Sequence, residues 1–360
     1  MREHDFAKYL KKNPGPVFGQ LETFSRAVVI PAFDEEDELF PVISSLGNAV
    51  FSDQAAIIVV VNHPRGFPAE KSLQIFHRLH ELNRSNLFPI YAPDLTGGVG
   101  EARKIGMDCF VRHQTAQSID QCVIFSLDAD SSAAPEYFSQ TLKTLESHPE
   151  APGVIIKTRH RAAASPDQEN AIRKYEQYLE RYAQKLKSAG SPYGFVSIGS
   201  GFAVRGNAYI KAGGMKIKKA GEDFYFLQEL AKQNALCETG DALVFPSPRT
   251  SERVPFGTGR AVESLLHGGR LPEIPDQAFD ALKTLLDSAR SPEGFLYTST
   301  DTVPGDCADF FKAEKFKEVW QKISANTPSD HQARLQAFFR WFDGLKTLRF
   351  LHAIQKHLGL

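Results

Sequence analysis

Three apolar runs, each closed by a polar residue and followed by a helical pattern, limit what this chain can fold into. They are Ala27-Val28-Val29-Ile30-Pro31-Ala32-Phe33, Ala55 to Val61, and Cys122 to Leu127. Short continuous apolar runs bounded by turn residues are the mark of strands covered on both faces. Between them, Leu39, Val42, Ile43 and Leu46 recur at helical spacing, a helix is expected around 69–84, and a short strand near Leu87–Tyr91. Gly97-Gly98-Val99-Gly100-Glu101-Ala102-Arg103-Lys104 then opens a further helix. The alternation predicts an α/β fold, Rossmann-like, with a mostly parallel sheet and helices on both faces. Ligands in such sheets bind at the carboxyl ends of the strands. Those ends are Asp34, Asn62, the Gly97–Arg103 loop and the pair Asp128/Asp130.

Composition narrows the function classes. The 360 residues carry 42 basic and 43 acidic side chains, a formal charge of −1, so no global basic field points to nucleic acid. Cys109, Cys122, Cys237 and Cys307 are widely scattered with no Cys-x-x-Cys pair, which predicts free thiols in a reducing compartment. The start, Met1-Arg2-Glu3-His4-Asp5, opens no apolar signal region, and no run of roughly 18 apolar residues exists. The expectation is a cytoplasmic protein without a transmembrane segment.

The pair in Phe125-Ser126-Leu127-Asp128-Ala129-Asp130 carries the most chemistry. Residues i and i+2 of a strand point the same way. Two carboxylates leaving a strand end together suit a hard divalent cation such as Mg²⁺ or Mn²⁺. The competing structural role is a loop start in which Asp and Ser cap a helix beginning near Pro135. The acids Asp34-Glu35-Glu36-Asp37-Glu38 stand at a helix N-terminus, where the dipole favours negative charge.

After residue 150 the order is less regular. A strand is expected over Gly153 to Thr158 and a long polar helix from Gln168 to Ala189, with Tyr175, Tyr178 and Tyr182 nearly on one face as core or interface. Ser197 to Val204 is expected as a strand interrupted by Gly199 and Gly201, where glycine marks a close approach. Gly221-Glu222-Asp223 precedes an apolar helix from Phe224 to Ala231, and Val244-Phe245-Pro246 reads as a late strand. Ser251 to Arg260 is a loop rich in glycine and arginine. The remainder is helical. A last helix of about 331–357 carries a stripe of Leu335, Phe338, Phe339, Phe342, Leu345, Leu348, Leu351 and Ile354, expected to pack on the main domain or on a second subunit as a homo-oligomer. The organisation expected is an N-terminal extension over 1–25, a catalytic domain over 26–255 and a mainly helical region over 256–360.

The order of these motifs resembles the family 2 glycosyltransferases, which have the GT-A fold. It comprises Val-Ile-Pro-Ala-Phe-Asp-Glu-Glu, a glycine-rich loop with Ala102-Arg103, Leu-Asp-Ala-Asp, Gly-Ser-Gly-Phe, Gly-Gly-Met, and Gly-Glu-Asp before a helix, over residues 27–250. The resemblance implies a glycosyl transfer from a nucleotide-diphosphate sugar to an acceptor hydroxyl, assisted by Mn²⁺ or Mg²⁺. The acceptor would be a glycan, a lipid-linked or a small molecule. It implies donor contacts from Pro31, Asp34, Glu36, Asn62, Gly98, Gly100, Arg103, Asp128 and Gly201. Asp128 and Asp130 would hold the cation, with His267, or else His160, as a further ligand. Asp223 would be the catalytic base with Glu222 beside it. Arg253 and Arg260 suit the diphosphate, since a guanidinium grips phosphate through two hydrogen bonds.

One departure is plain. Many family members end the second strand in Asp-Asp-x-Ser, and here Val61 is followed by Asn62-His63-Pro64. The Gln-x-x-Arg-Trp signature of processive members is absent, so a non-processive enzyme is expected. Two other classes fit parts of the pattern. A sugar-nucleotide pyrophosphorylase also uses a glycine loop and a metal-binding aspartate, although its loop follows the first strand. A catalytically silent GT-A-like binding platform would account for the missing carboxylates.

Overall fold

In the computed structural model, residues 1–218, 221–249, 258–296, 303 and 305–359 are described. Its strands are β1 (Arg26–Ala32), β2 (Ala55–Pro64), β3 (Leu87–Leu95), β4 (Val123–Ser126), β5 (Ser131–Ala133), β6 (Gly153–Thr158), β7 (Phe202–Arg205) and β8 (Cys237–Pro246). Among the described residues they form one eight-stranded sheet in the order β3-β2-β1-β4-β7-β6-β8-β5. β1, β2, β3 and β4 pair in parallel, β7 is antiparallel to both β4 and β6, β8 runs parallel to β6, and β5 antiparallel to β8. The expected α/β class with a mostly parallel sheet is present.

The first nine helices are α1 (Glu3–Lys12), α2 (Glu36–Gly47), α3 (Glu70–Glu81), α4 (Gly98–Arg112), α5 (Tyr137–Ser147), α6 (Pro166–Ser188), α7 (Gly206–Lys211), α8 (Glu222–Ala231) and α9 (Thr258–Leu266). Five more follow: α10 (Asp276–Arg290), α11 (Ala308–Ala313), α12 (Phe316–Ala325), α13 (His331–Trp341) and α14 (Gly344–His357). Contacts divide the chain into two compact units, residues 1–174 with 197–268, and residues 175–196 with 269–360. The chain crosses between them at Lys174/Tyr175 inside α6, at Val196/Ser197 and at Gly268/Gly269.

In the first unit, alternate residues of the parallel strands serve opposite faces. Val28, Ile30, Ile57, Val59 and Val61 join Leu39, Val42 and Ile43 of α2, Ile75 and Leu79 of α3, and Tyr137 and Phe138 of α5 in one core. The other face receives α4, and there Gly106 permits the contact: a Cβ on it would lie 2.5 Å from Val29 Cγ1 and 3.0 Å from Val60 Cγ2. Residues 1–25 pack on the first unit. Phe6 and Tyr9 of α1 are buried, and the Tyr9 hydroxyl donates to Asp108 Oδ1 at 2.6 Å, an acceptor shared with the Tyr209 hydroxyl at 2.8 Å. Lys104 Nζ closes the group on Asp108 Oδ2 at 2.7 Å.

The second unit has its own aromatic core. Phe338, Phe342, Leu351 and Ile354 of the expected stripe are buried there with Phe295, Phe310, Phe311, Phe316 and Trp320. Half of the stripe thus lies in the unit's own core, while Leu345 is exposed. The expected single helix over 331–357 is two, because Asp343 turns the chain and caps α14, accepting from Lys346 N at 3.1 Å. The four cysteines are free and buried, and no described helix is long and apolar enough to cross a membrane.

Since α4 lies so close to the sheet at Gly106, Gly106→Val overfills that contact. The expected loss is about 1–3 kcal/mol, read as a lower midpoint in a denaturant melt. An unchanged midpoint would mean that α4 stands further from Val29 and Val60.

Candidate active site

The first unit brings its polar residues together at the carboxyl edge of β1 and β4. Leu127 N donates to Val29 O at 3.1 Å, the last bond of the β4 edge, and the chain then turns, with Ser131 N on Asp128 O at 3.1 Å. Asp128 and Asp130 thus leave on a turn and not on an extended strand, because Ser131 must begin β5 against Pro246 of β8. The two side chains take different partners.

Asp128 meets Arg103. This arginine, on α4, has a side chain only 3% exposed and forms ion pairs through Nη2 with Asp128 Oδ1 and through Nη1 with Glu222 Oε1. Burial works against its charge, but Asp128 and Glu222 outweigh that and hold it protonated. The space is made by glycines. A Cβ on Gly199 would collide with the guanidinium, and one on Gly100 would lie 2.8 Å from Glu222 Cβ and 2.7 Å from Lys216 O. Ser126 Oγ donates to Gly199 O at 2.7 Å and fixes that backbone. Arg103, expected against the nucleotide, spends both terminal nitrogens on carboxylates.

Asp130 meets Arg249, which sequence reasoning passed over. Arg249 Nε lies 2.7 Å from Asp130 Oδ2, and Nη2 pairs with Glu35 Oε1 at the start of α2. Around them, Arg161 Nη2 bonds Glu38 Oε2 at 2.6 Å and Asp130 O at 3.3 Å, and Ser247 N donates to Asp130 O at 2.9 Å. Burial, reinforced by Asp128 and Glu35 and opposed by Arg249, pushes the Asp130 carboxyl up to about 6.

Glu222 and Asp223 open α8, preceded by Gly221 in the left-handed region at φ 72°. Burial raises both carboxyls against the pull of Arg103, and Asp128 raises both further. Asp223 Oδ1 accepts from Phe224 N at 2.8 Å. Asp128, Asp130, Glu222 and Asp223 therefore sit in one connected electrostatic neighbourhood.

The other expected contacts have specific surroundings. Asp34 is exposed, in the left-handed region at φ 54°, and lies 2.8 Å from Lys71 Nζ. Glu36 pairs with Arg78. Pro31 is buried within β1. Asn62 is buried, its Nδ2 donating to Ala32 O at 3.0 Å and Val60 O at 3.2 Å. Gly98 has φ 68°, and the amides of Thr96 and Gly97 beside it donate to the chain's own Glu101 Oε2 at 3.1 and 2.7 Å. Gly201 packs against Ile156 O, which a Cβ would approach to 2.9 Å. Arg260 is exposed in the first turn of α9, and Arg253 lies outside the described residues. His267 is exposed, its Nδ1 2.9 Å from Glu263 O, while His160 is buried.

Among the described residues no three His, Cys, Asp or Glu side chains form a metal-holding group, so neither His267 nor His160 joins the acids in one. The donor chemistry nevertheless fits a hard cation. Asp128 and Asp130 supply carboxylate oxygens, the donor type such an ion takes, and each is paired with an arginine in this structure. Mg²⁺ is commonly held by one or two carboxylates together with substrate phosphates.

No family model and no curated protein sequence matches the chain. Among solved structures it is similar to S. aureus TarS 1–349 in complex with UDP-GlcNAc, with 14% identity over 88% of this chain and 91% of that chain and a TM-score of 0.45. It is similar to the mannosyltransferase PcManGT from Pyrobaculum calidifontis in complex with GDP-Man and Mn²⁺, with 14% identity over 98% and 92% and a TM-score of 0.44. It is also similar to glucosyl-3-phosphoglycerate synthase from Mycobacterium tuberculosis in complex with Mn²⁺, UDP and phosphoglyceric acid, with 16% identity over 72% and 88% and a TM-score of 0.40.

Proposed function

We propose that the chain is a non-processive GT-A glycosyltransferase that moves a sugar from a nucleotide-diphosphate donor to an acceptor hydroxyl. The observation that carries this reading is the buried Arg103, which ties Asp128 to Glu222 and so sets Asp223 in the same field as the Asp128/Asp130 pair. Glycosyl transfer needs both ends: acids that fix the departing diphosphate through a cation, and a carboxylate at the acceptor.

Asp128 and Asp130 are the residues that would hold a divalent cation, which when bound would neutralise charge on the leaving diphosphate. Asp223 is the base. Its half-buried carboxylate, raised above the ordinary range by desolvation, is better matched to a hydroxyl proton than an exposed aspartate would be. Glu222, held by Arg103, is committed to positioning. Asp34, just beyond β1, and Glu36, the first residue of α2, are the groups assigned to the donor's ribose or base.

The base assignment is checked by Asp223→Asn. Binding of the nucleotide sugar, followed by calorimetry, should be unchanged, while turnover falls by about 10²- to 10⁴-fold. Normal turnover would remove Asp223 from the role.

Asp130 gives a second check in a chelator. A carboxyl raised from 3.8 to about 6 favours the folded state below its ordinary range, and that advantage is lost as pH rises through 6. Asp130→Asn escapes the loss, so its melting temperature should rise relative to wild type between pH 4 and pH 7.5. Mn²⁺ at neutral pH should then stabilise wild type and not the variant. Parallel pH profiles would mean that Asp130 is not desolvated.

A further inference from the structure

The side chain that faces Asp130 raises a question the proposed chemistry does not answer: what balances this carboxylate before a cation and donor arrive? Arg249 stands three residues beyond β8 and reaches the acids of two other segments, Asp130 after β4 and Glu35 before α2. It is 36% exposed, while Asp130 and Glu35 are 16% and 11% exposed. One guanidinium thus spans two largely covered carboxylates from the open side.

Resting on the glycosyltransferase reading above, we infer that Arg249 is an internal counter-ion that competes with the divalent cation for Asp130 and, once displaced, binds the donor's diphosphate. Two cations at one carboxylate repel each other, and in a partly covered site that repulsion is weakly screened. Cation binding at Asp130 therefore works against the bond from Arg249 Nε. The Asp130 main chain does not depend on Arg249, because Ser247 N and Arg161 Nη2 both hold its carbonyl. The seat can persist while the guanidinium turns away. Ser247 also tethers the backbone two residues before Arg249, so the freed side chain stays within reach of the same space. Its planar fork matches phosphate oxygens, which no longer compete with Asp130 for it.

The two halves of this role move binding in opposite directions, which a merely structural arginine would not do. The experiment is titration of the full chain with Mn²⁺ alone, followed by electron paramagnetic resonance of the free ion. Calorimetry with UDP, GDP, ADP and dTDP at saturating Mn²⁺ follows. Circular dichroism of each variant confirms the fold, and Arg249→Lys, which keeps the charge but cannot span both acids, is the second variant. Arg249→Gln should bind Mn²⁺ alone about tenfold tighter than wild type, and its preferred diphosphate about tenfold more weakly, each the scale of one charge contact. Arg249→Lys should fall between. Unchanged or weaker Mn²⁺ binding in folded Arg249→Gln would overturn the inference alone. A wild type that binds neither Mn²⁺ nor any diphosphate would remove the glycosyltransferase reading and this inference with it.

Discussion

A guanidinium almost sealed from water has to be matched by negative charge nearby, and Arg103 is matched twice. Its partners are Asp128, at the end of β4, and Glu222, at the start of α8. Breaking a buried pair by removing one member typically costs about 3–5 kcal/mol, because the other charge is left uncompensated. The three segments are therefore held to one another electrostatically. Gly100 and Gly199 have no side chain because α8 and the guanidinium occupy that volume. α4 is in turn set by Gly106 against β1 and β2 and by Asp108 against α1 and α7. Position passes from the sheet to α4, from α4 to Arg103, and from Arg103 to two of the acids.

The second feature is that the acids outnumber their counter-ions. Asp128, Asp130, Glu35, Glu222 and Asp223 share two arginines, Arg103 and Arg249, and three of these carboxyls are raised. Burial contributes most to each shift, so the site holds negative charge where water stabilises it poorly.

Much of the sheet is legible in the sequence because burial on both faces removes polar residues from Val28 to Ala32, Ala55 to Val61 and Val123 to Phe125. The acids are legible because they close those runs. What the sequence conceals is pairing at long range. Nothing around Arg249 marks it as the partner of Asp130, 119 residues earlier, or of Glu35, 214 residues earlier. Arg103 reads as a nucleotide contact because it follows a glycine loop, yet its surroundings are carboxylates. The glycine loop reads as a donor contact, yet the Gly97 amide is taken by Glu101, one turn on. Residues 1–25 read as an extension because their attachments, Tyr9 to Asp108, Asn13 to Lys104 and Phe18 N to His113, are to residues about 90 to 100 positions later. The break at Phe342-Asp343 hides inside an apolar stripe whose period continues through it, and only the capping aspartate signals it.

The absence of an acidic signature after β2 follows from the same accounting. At that position Asn62 is buried, and its amide bonds the carbonyls of Ala32 and Val60. A carboxylate there would face two carbonyl oxygens with no hydrogen to give them, and the desolvation would be uncompensated. The amide instead stitches the ends of β1 and β2 together. Negative charge for the site is drawn from the β1–α2 corner, where Glu35 and Glu38 face Arg249 and Arg161. The arginines that answer them, Arg161 and Arg249, follow β6 and β8.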